Sequence, residues 1–288
     1  MRRILQLSAL CLTMGTLSAC STPETVLVSD DIPSAGVRFI HAVPDTIAMD
    51  LRAVDIVENG QFQIGFRNNP VTTAGVTASS QIEFKNARAG SRHFRLFLDG
   101  TTAAIASTVI KDTTLTLTAG KNYTFLLMGS AKAGTMKLSI IEESVPDPVA
   151  NVGLRVINAT SGSLDFRQYP STGTLPAAAT WAAVPAYSVS AFQTAAVGQI
   201  KINAQPVGGG TALFDALALL GTLPTGQGTT CGGTAVCDLE GTPGTTVAGS
   251  AVTAIAFPAS TPGTGAVQFA APGVSFMWDK RPPRPAGT

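Results

Sequence analysis

The side chains that most often carry enzyme chemistry are few in this chain. Its 288 residues include two histidines, His41 and His93, and four cysteines. Neither histidine has cysteines or carboxylates at a spacing typical of metal ligands, and neither a Gly-x-Ser-x-Gly nor a Gly-x-x-x-x-Gly-Lys-Ser/Thr motif occurs. The sequence therefore predicts no catalytic residue, no cofactor and no metal site, and we expect a protein that is not an enzyme.

Cys20 stands where a thiol can receive a lipid. A positive start (Met1 to Arg3), an apolar run (residues 4–14) and two small residues precede it, which is the layout of a secretory signal. Leu17-Ser18-Ala19-Cys20 resembles the lipobox of bacterial lipoproteins, which implies diacylglycerol on Cys20 and cleavage before it. The alternative is an ordinary signal that happens to contain a cysteine. We predict a signal peptide at 1–19, a tether at 20–35, and attachment to the membrane through the lipid anchor.

Two cysteines remain for the folded part, because Cys11 lies within the signal. Cys231 and Cys237 are separated by five residues, two of them glycines, in a protein that we expect to be exported. Disulfides persist outside the cytoplasm, and such a short flexible segment lets the two Cα atoms approach. The sequence predicts a disulfide between Cys231 and Cys237.

Composition excludes some functions and favours one fold class. Charged residues are 13% of the chain and the net charge is +1, so no basic field exists to attract nucleic acid. Short β-rich runs alternate with turns drawn from 29 glycines and 18 prolines. This pattern indicates an all-β protein.

The sequence contains two copies of one unit. "GVRFIHA" (Gly36 to Ala42) returns as "GLRVINA" (Gly153 to Ala159), and "DLR" at Asp50 returns as "DFR" at Asp165. Two further blocks match in the same order: 89–100 with 197–208, and 118–129 with 247–258. The last pair keeps a threonine four residues after a glycine. We predict domains at 36–143 and 152–278, a linker at 144–151 and a disordered tail at 279–288.

Each copy reads as a series of short strands, and we expect two tandem antiparallel immunoglobulin-like β-sandwiches. Phe94, Leu96 and Leu98 alternate with polar residues and should share one buried face. The arginines of the repeated "VRF" and "LRV" should lie on strands with one buried face. The strands predicted in the first copy are 36–42, 47–54, 61–67, 80–86, 92–98, 103–110, 114–118, 122–130 and 135–142.

The stretch "VRFIHAVPDTIAMDL" resembles the opening of a bacterial family, domain-of-unknown-function family 4397 (DUF4397). The residues that carry the resemblance are Arg38, His41, Ala42, Pro44, Asp45 and Asp50. The second copy keeps Arg155, Asn158, Ala159 and Asp165 but lacks the Pro-Asp pair. The resemblance implies a β-sandwich in the cell envelope and supplies no catalytic residues.

The remaining polar and aromatic candidates each have a structural interpretation beside the functional one. His41 becomes Asn158 in the second copy, which favours a hydrogen bond at a strand end over metal ligation. Asp45 and Asp50 could form a glycosidase pair, but a turn or an Asp–Arg pair explains them more simply. Four aromatic side chains could stack on sugars, although single aromatics in a sandwich are usually core residues; they are Tyr169, Trp181, Tyr187 and Trp278.

We therefore expect a lipid-anchored lipoprotein of the bacterial cell envelope, with the outer membrane favoured by Ser21. Its expected role is noncatalytic, either structural or the binding of an envelope protein or polysaccharide. The insertion from Leu220 to Thr246, where the two copies differ most, is the expected contact region. The alternative is a secreted carbohydrate- or polymer-binding accessory protein or a cryptic hydrolase.

Overall fold

The structure, a computed structural model, describes residues 32–55, 65–68, 84–222, 242–262 and 271–282, with residues 65–68 described as backbone. Cys20, Cys231 and Cys237 lie outside the described residues, as do the signal peptide and most of the tether and tail. The lipid attachment and the disulfide therefore stay predictions.

The first half of the chain forms two four-stranded sheets. One has the strand order β4-β1-β7-β8 and the other β3-β2-β5-β6. The strands are β1 (Ser34–His41), β2 (Met49–Ala53), β3 (Gly65–Asn68), β4 (Lys85–Arg88), β5 (Gly90–Leu98), β6 (Val109–Leu117), β7 (Asn122–Met128) and β8 (Lys137–Glu142).

The second half repeats the arrangement with sheets β12-β9-β16-β17 and β11-β10-β14-β15, and β13 also pairs with β9. Its strands are β9 (Val152–Asn158), β10 (Leu164–Pro170), β11 (Trp181–Val184), β12 (Ser188–Val189), β13 (Gln193–Ala195), β14 (Ile200–Pro206), β15 (Phe214–Leu217), β16 (Ala251–Phe257) and β17 (Gly273–Lys280).

Each half encloses its own apolar core, which confirms the all-β, sandwich-type prediction. Phe94 and Leu96 are buried in the first core and Leu98 packs against it, as their alternation predicts. The second core has Ile202 and Ala204 at the matching positions of β14. We call the two halves sandwich 1 (residues 34–143) and sandwich 2 (residues 152–280). Whether each folds alone, as the predicted domain boundaries imply, stays a prediction.

Two strand pairs depart from the expected antiparallel pattern. β1 pairs with β7 in parallel, and β9 pairs with β16 in parallel. Strands of parallel pairs are usually buried on both faces, and every residue of β9 and β16 is buried. In β1, only Ser34 is exposed. The expectation that the two arginine strands, β1 and β9, bury one face is therefore wrong.

The predicted strand 103–110 is also wrong in its first half. Ala103–Ala106 form a short helix, α1, and Val109–Leu117 form one continuous strand instead of two. Thr102 caps the helix, because its side chain accepts a hydrogen bond from the Ile105 N–H. Alanine-rich segments favour helix over strand once such a cap is present.

The two sandwiches pack against each other through the β1–β7–β8 and β9–β16–β17 faces. Ile40 and Leu126 from sandwich 1 and Ile157 and Ile255 from sandwich 2 belong to one buried cluster. The described residues from Pro33 onward form one compact unit. Among the described residues, no helix is long and apolar enough to cross a membrane.

Candidate functional site

Arg38 lies in β1 with its side chain directed towards sandwich 2. Val37 and Phe39 enter the first core, and a strand points successive side chains to opposite faces. Arg38 is 0% exposed. Its Nε donates to Thr124 Oγ1 on β7 (2.7 Å), and its Nη2 donates to Glu143 Oε1 just after β8 (3.0 Å). The guanidinium is therefore held by one side chain from the adjacent strand β7 and one from the residue that follows β8, the next strand of the sheet.

Arg155 has the same surroundings in sandwich 2. Its Nε donates to Thr253 Oγ1 on β16 (2.7 Å), and its Nη2 donates to Asp279 Oδ1 on β17 (2.9 Å). In the parallel ladders Arg38 stands opposite Thr124, and Arg155 stands opposite Thr253. The sequence repeat is thus also a repeat of side-chain contacts.

Each arginine also reaches the acid of the other sandwich. Arg38 Nη2 lies 2.5 Å from Asp279 Oδ1, and Arg155 Nη1 lies 2.7 Å from Glu143 Oε2. Two buried cations thereby meet two buried anions, so the charges balance. We call these four residues, with Thr124 and Thr253, the inter-sandwich network.

The threonine hydroxyls and two phenylalanine rings complete the surroundings. Thr124 Oγ1 donates to Glu143 Oε1 and Thr253 Oγ1 donates to Asp279 Oδ2, each at a distance of 2.5 Å. The Arg38 guanidinium carbon lies 4.3 Å from the centre of the Phe84 ring, and that of Arg155 lies 4.6 Å from the Phe192 ring. Both rings offer cation–π contacts.

The electrostatics of the network favour the charged forms. Burial opposes ionisation of Glu143, but hydrogen bonds and charge from Arg155 and the charge of Arg38 outweigh it, so the pKa of Glu143 is lowered. Burial likewise opposes the charge of Arg155, but the carboxylates of Asp279 and Glu143 raise its pKa. Such paired, desolvated charges hold two surfaces in one register.

His41 and Asn158 occupy equivalent strand ends and make equivalent bonds. The Val43 N–H donates to His41 Nδ1 (3.3 Å), and the Thr160 N–H donates to Asn158 Oδ1 (3.0 Å). His41 Nε2 lies 3.0 Å from the Ile47 carbonyl and from Thr46 Oγ1. This is the hydrogen-bonding role at a strand end that the repeat favours over metal ligation.

Asp45 is engaged in a turn. Burial works against its charge, but Ser130 Oγ and the Lys132 and Ala131 N–H groups donate to its carboxylate and lower its pKa. It therefore fastens the β1–β2 loop to the β7–β8 turn.

Asp50 accepts from Arg52 Nε at 2.6 Å, which is the Asp–Arg pair that the sequence favours. The pair does not recur in sandwich 2. There Asp165 accepts from the Ala183 N–H (2.7 Å), whereas Arg167 donates to Gln205 (3.3 Å). Ala183 has a positive φ of 48°, a backbone turn that brings its N–H to the carboxylate.

The four aromatic candidates do not form an exposed row. Trp181 and Tyr169 are buried, and their polar atoms donate to the Ala191 carbonyl and to Asp215. Tyr187 packs against the cluster between the sandwiches. Trp278 is half-buried, with the Arg281 guanidinium carbon 4.5 Å from its ring centre. These side chains act as core or packing residues.

An open groove of about 350 Å³ runs between the two edge strands β6 and β8 of sandwich 1. Met136, Leu138 and Ile140 provide apolar lining, and Lys111 and Lys137 lie at its sides. Within the part of the chain that the structure describes, neither lysine makes an ion pair. Asp112 also lines the groove and is paired with Arg95. The groove therefore combines apolar surface with a net positive charge.

The sequence indicated part of the inter-sandwich network and missed the rest. Arg38 and Arg155, and the threonine that follows each glycine by four residues, were matched in the repeat. Glu143 and Asp279 were missed because the similarity between β8 and β17 is too weak to align them. Among the described residues, no group of His, Cys, Asp and Glu could hold a metal ion.

Comparison with protein families identifies a match for part of the chain. No curated protein matches the chain significantly. The model of a domain of unknown function, DUF4397, matches residues 35–167, which cover sandwich 1 from Ala35 onward, β9 and the first part of β10, including Arg38 and Arg155. The match confirms the resemblance to the DUF4397 family seen in "VRFIHAVPD".

Proposed function

We propose that the protein is a cell-envelope lipoprotein, anchored through a lipid on Cys20, with a noncatalytic binding or structural role. The lipobox-like sequence before Cys20 supports the anchor. Several acyl chains hold a protein at a membrane far better than one. The tether would then carry the paired sandwiches at the membrane surface, with the outer membrane favoured by Ser21.

The use of the buried charged residues carries the noncatalytic part of the proposal. The charges that both repeats share, Arg38 and Arg155, bind acids of both sandwiches. His41 and Asp45 fasten loops at the end of sandwich 1. These groups are engaged in internal contacts that support the fold rather than facing a common open cleft.

The groove between β6 and β8 supports a binding role. Its apolar lining and its two lysines, which make no ion pair among the residues that the structure describes, suit a partner with apolar groups and negative charge, whether envelope protein or acidic polysaccharide. Edge strands also leave backbone N–H and C=O groups unpaired, which an extended chain can use.

The anchor is tested by Cys20→Ala. The variant should remain an unprocessed precursor or enter the soluble fraction, because it lacks the thiol that would receive the lipid. Cys11→Ala is the matched control, since it removes a thiol from the same leader. Unchanged detergent partitioning of Cys20→Ala would refute the anchor.

The binding role is tested by cross-linking in the native envelope. The double variant Lys111→Gln/Lys137→Gln should lose cross-links to its partner, whereas Lys201→Gln on sandwich 2 should keep them. Turnover of an envelope substrate by the purified protein, lost on substitution of Asp45 or Asp50, would overturn the noncatalytic role.

A further inference from the structure

The two sandwiches contribute equivalent side chains to the surface between them. Arg38 and Arg155, Thr124 and Thr253, and Glu143 and Asp279 take the same places in their own sheets. The Arg38–Thr124 and Arg155–Thr253 bonds are both 2.7 Å, and the two Thr–carboxylate bonds are both 2.5 Å. The polar part of the surface is therefore related by an approximate two-fold exchange of the sandwiches.

The apolar part obeys the same exchange. Each apolar residue that sandwich 1 places in the shared cluster has an apolar counterpart at the equivalent position of sandwich 2. The equivalent pairs are Ile40 and Ile157, Ala42 and Ala159, Leu126 and Ile255, Met128 and Phe257, and Ile141 and Met277. A surface that meets its own equivalent in this way is self-complementary, as in a two-fold dimer.

The cross-contacts show why a second copy of the same sandwich would fit. Arg38 binds the acid of the opposite sandwich at 2.5 Å, and Arg155 does the same at 2.7 Å. If sandwich 1 met another sandwich 1, Arg38 of each would face Glu143 of the other. Two cations would still meet two anions, with the apolar pairs of similar size around them.

We propose that the β1–β7–β8 face of sandwich 1 is a homotypic docking surface whose partner is any sandwich that carries the same arginine, threonine and acid. In the intact chain sandwich 2 occupies this surface, and a second copy of this chain is the partner that could replace it. The surface thus recognises the repeat unit itself rather than a foreign ligand.

Cleavage in the linker allows homotypic pairing to be tested without separate expression of either half. Val149 and Ala150 are both exposed, and Val149 is 72% exposed. A protease site inserted between them allows the folded full chain to be cut into two halves that remain bound. Native mass spectrometry then distinguishes the mixed pair from pairs of sandwich 1 and pairs of sandwich 2.

The cut protein is prepared unlabelled and ¹⁵N-labelled, mixed, and exposed to stepwise urea that is then dialysed out. Mixed-isotope pairs of sandwich 1 with sandwich 2 report that the halves have exchanged. At that step we expect homotypic pairs at amounts within about tenfold of the mixed pair, since similar contacts give similar affinities. If the halves exchange and the mixed pair is still the sole complex detected, the proposal is overturned.

A substitution on the docking surface distinguishes homotypic recognition from nonspecific association of the halves. Arg38→Met removes both cations from a pair of sandwich 1 but one of two from the mixed pair. It should therefore reduce the sandwich 1 pair at least tenfold relative to the mixed pair. Arg95→Met, on the opposite sheet of the same sandwich, should leave the ratio unchanged. Equal loss in both variants, or in neither, would contradict the assignment of the surface.

Discussion

Acid should weaken the fold through His41 before it affects the carboxylates. The imidazole is 0% exposed and its Nδ1 accepts from the Val43 N–H, so the neutral form fits the site. Burial lowers the pKa of His41 from 6.5 to about 4, against smaller opposing effects of the Ile47 carbonyl and Asp45. The unfolded chain therefore binds a proton at higher pH than the folded one.

The direction and size of the effect follow from this difference. Between pH 6.5 and pH 4 the unfolded state holds the extra proton, so stability falls as the pH falls. At about 1.4 kcal/mol per pKa unit, the free energy of unfolding should drop by about 2 kcal/mol between pH 7 and pH 5. Asp45 and Glu143 have lowered pKa values, so the stability that their carboxylates contribute is lost only at lower pH, where they become protonated.

Urea unfolding at a series of pH values measures this change. His41→Asn, which places in sandwich 1 the residue that sandwich 2 has at Asn158, should largely abolish the drop between pH 7 and pH 5. His93→Asn on the outer sheet should retain it. A drop of the same size in His41→Asn would refute the reasoning, whatever the absolute stability of the variant.

Three further predictions concern the network, the linker and the insertion. Arg38→Met should lower the free energy of unfolding by about 3 kcal/mol, since it leaves buried carboxylates undercompensated, and the exposed Arg95→Met by less than about 1 kcal/mol; urea titration measures both. Val149→Gly should raise the melting temperature, because relief of the left-handed backbone at φ 52° is worth about 1–2 kcal/mol against about 0.5–1 kcal/mol of glycine entropy. Deleting Thr229 to Glu240 should preserve the β-type circular dichroism spectrum, because Thr222 and Thr242 pair at the base of the insertion; a lost spectrum would contradict this.

Features that depend on neighbouring residues alone could be predicted from the sequence. The alternation of Phe94, Leu96 and Leu98 predicted their buried face, since a strand has a period of two. The sequence predicted turns at glycines, and Gly120, between β6 and β7, has a φ of 76°, a conformation that glycine adopts without strain. The repeated "VRFIHA" and "LRVINA" blocks predicted equivalent strands, and β1 and β9 occupy equivalent places in their sheets.

The partners of the polar side chains were decided by tertiary structure. Asp50 binds the nearby Arg52, as its spacing suggested, but the equivalent Asp165 binds the backbone of Ala183 instead. Ala183 lies in β11, a separate strand, and nothing in "DFR" reports its position. Likewise, the capped helix at Ala103–Ala106 replaced a predicted strand because a short apolar run fits both structures.

The role of the two arginines shows most clearly where sequence information ends. The sequence determined that Arg38 and Arg155 are equivalent and that each follows an apolar residue on a strand. An arginine in such a pattern normally faces solvent, since burying an unpaired charge is costly. Only the packing of one sandwich against the other supplied Glu143 and Asp279 as counter-charges and buried the second face of both strands. A strand pattern specifies which face a side chain takes, whereas what covers that face depends on the fold, which brings to Arg38 two acids that are more than a hundred positions away.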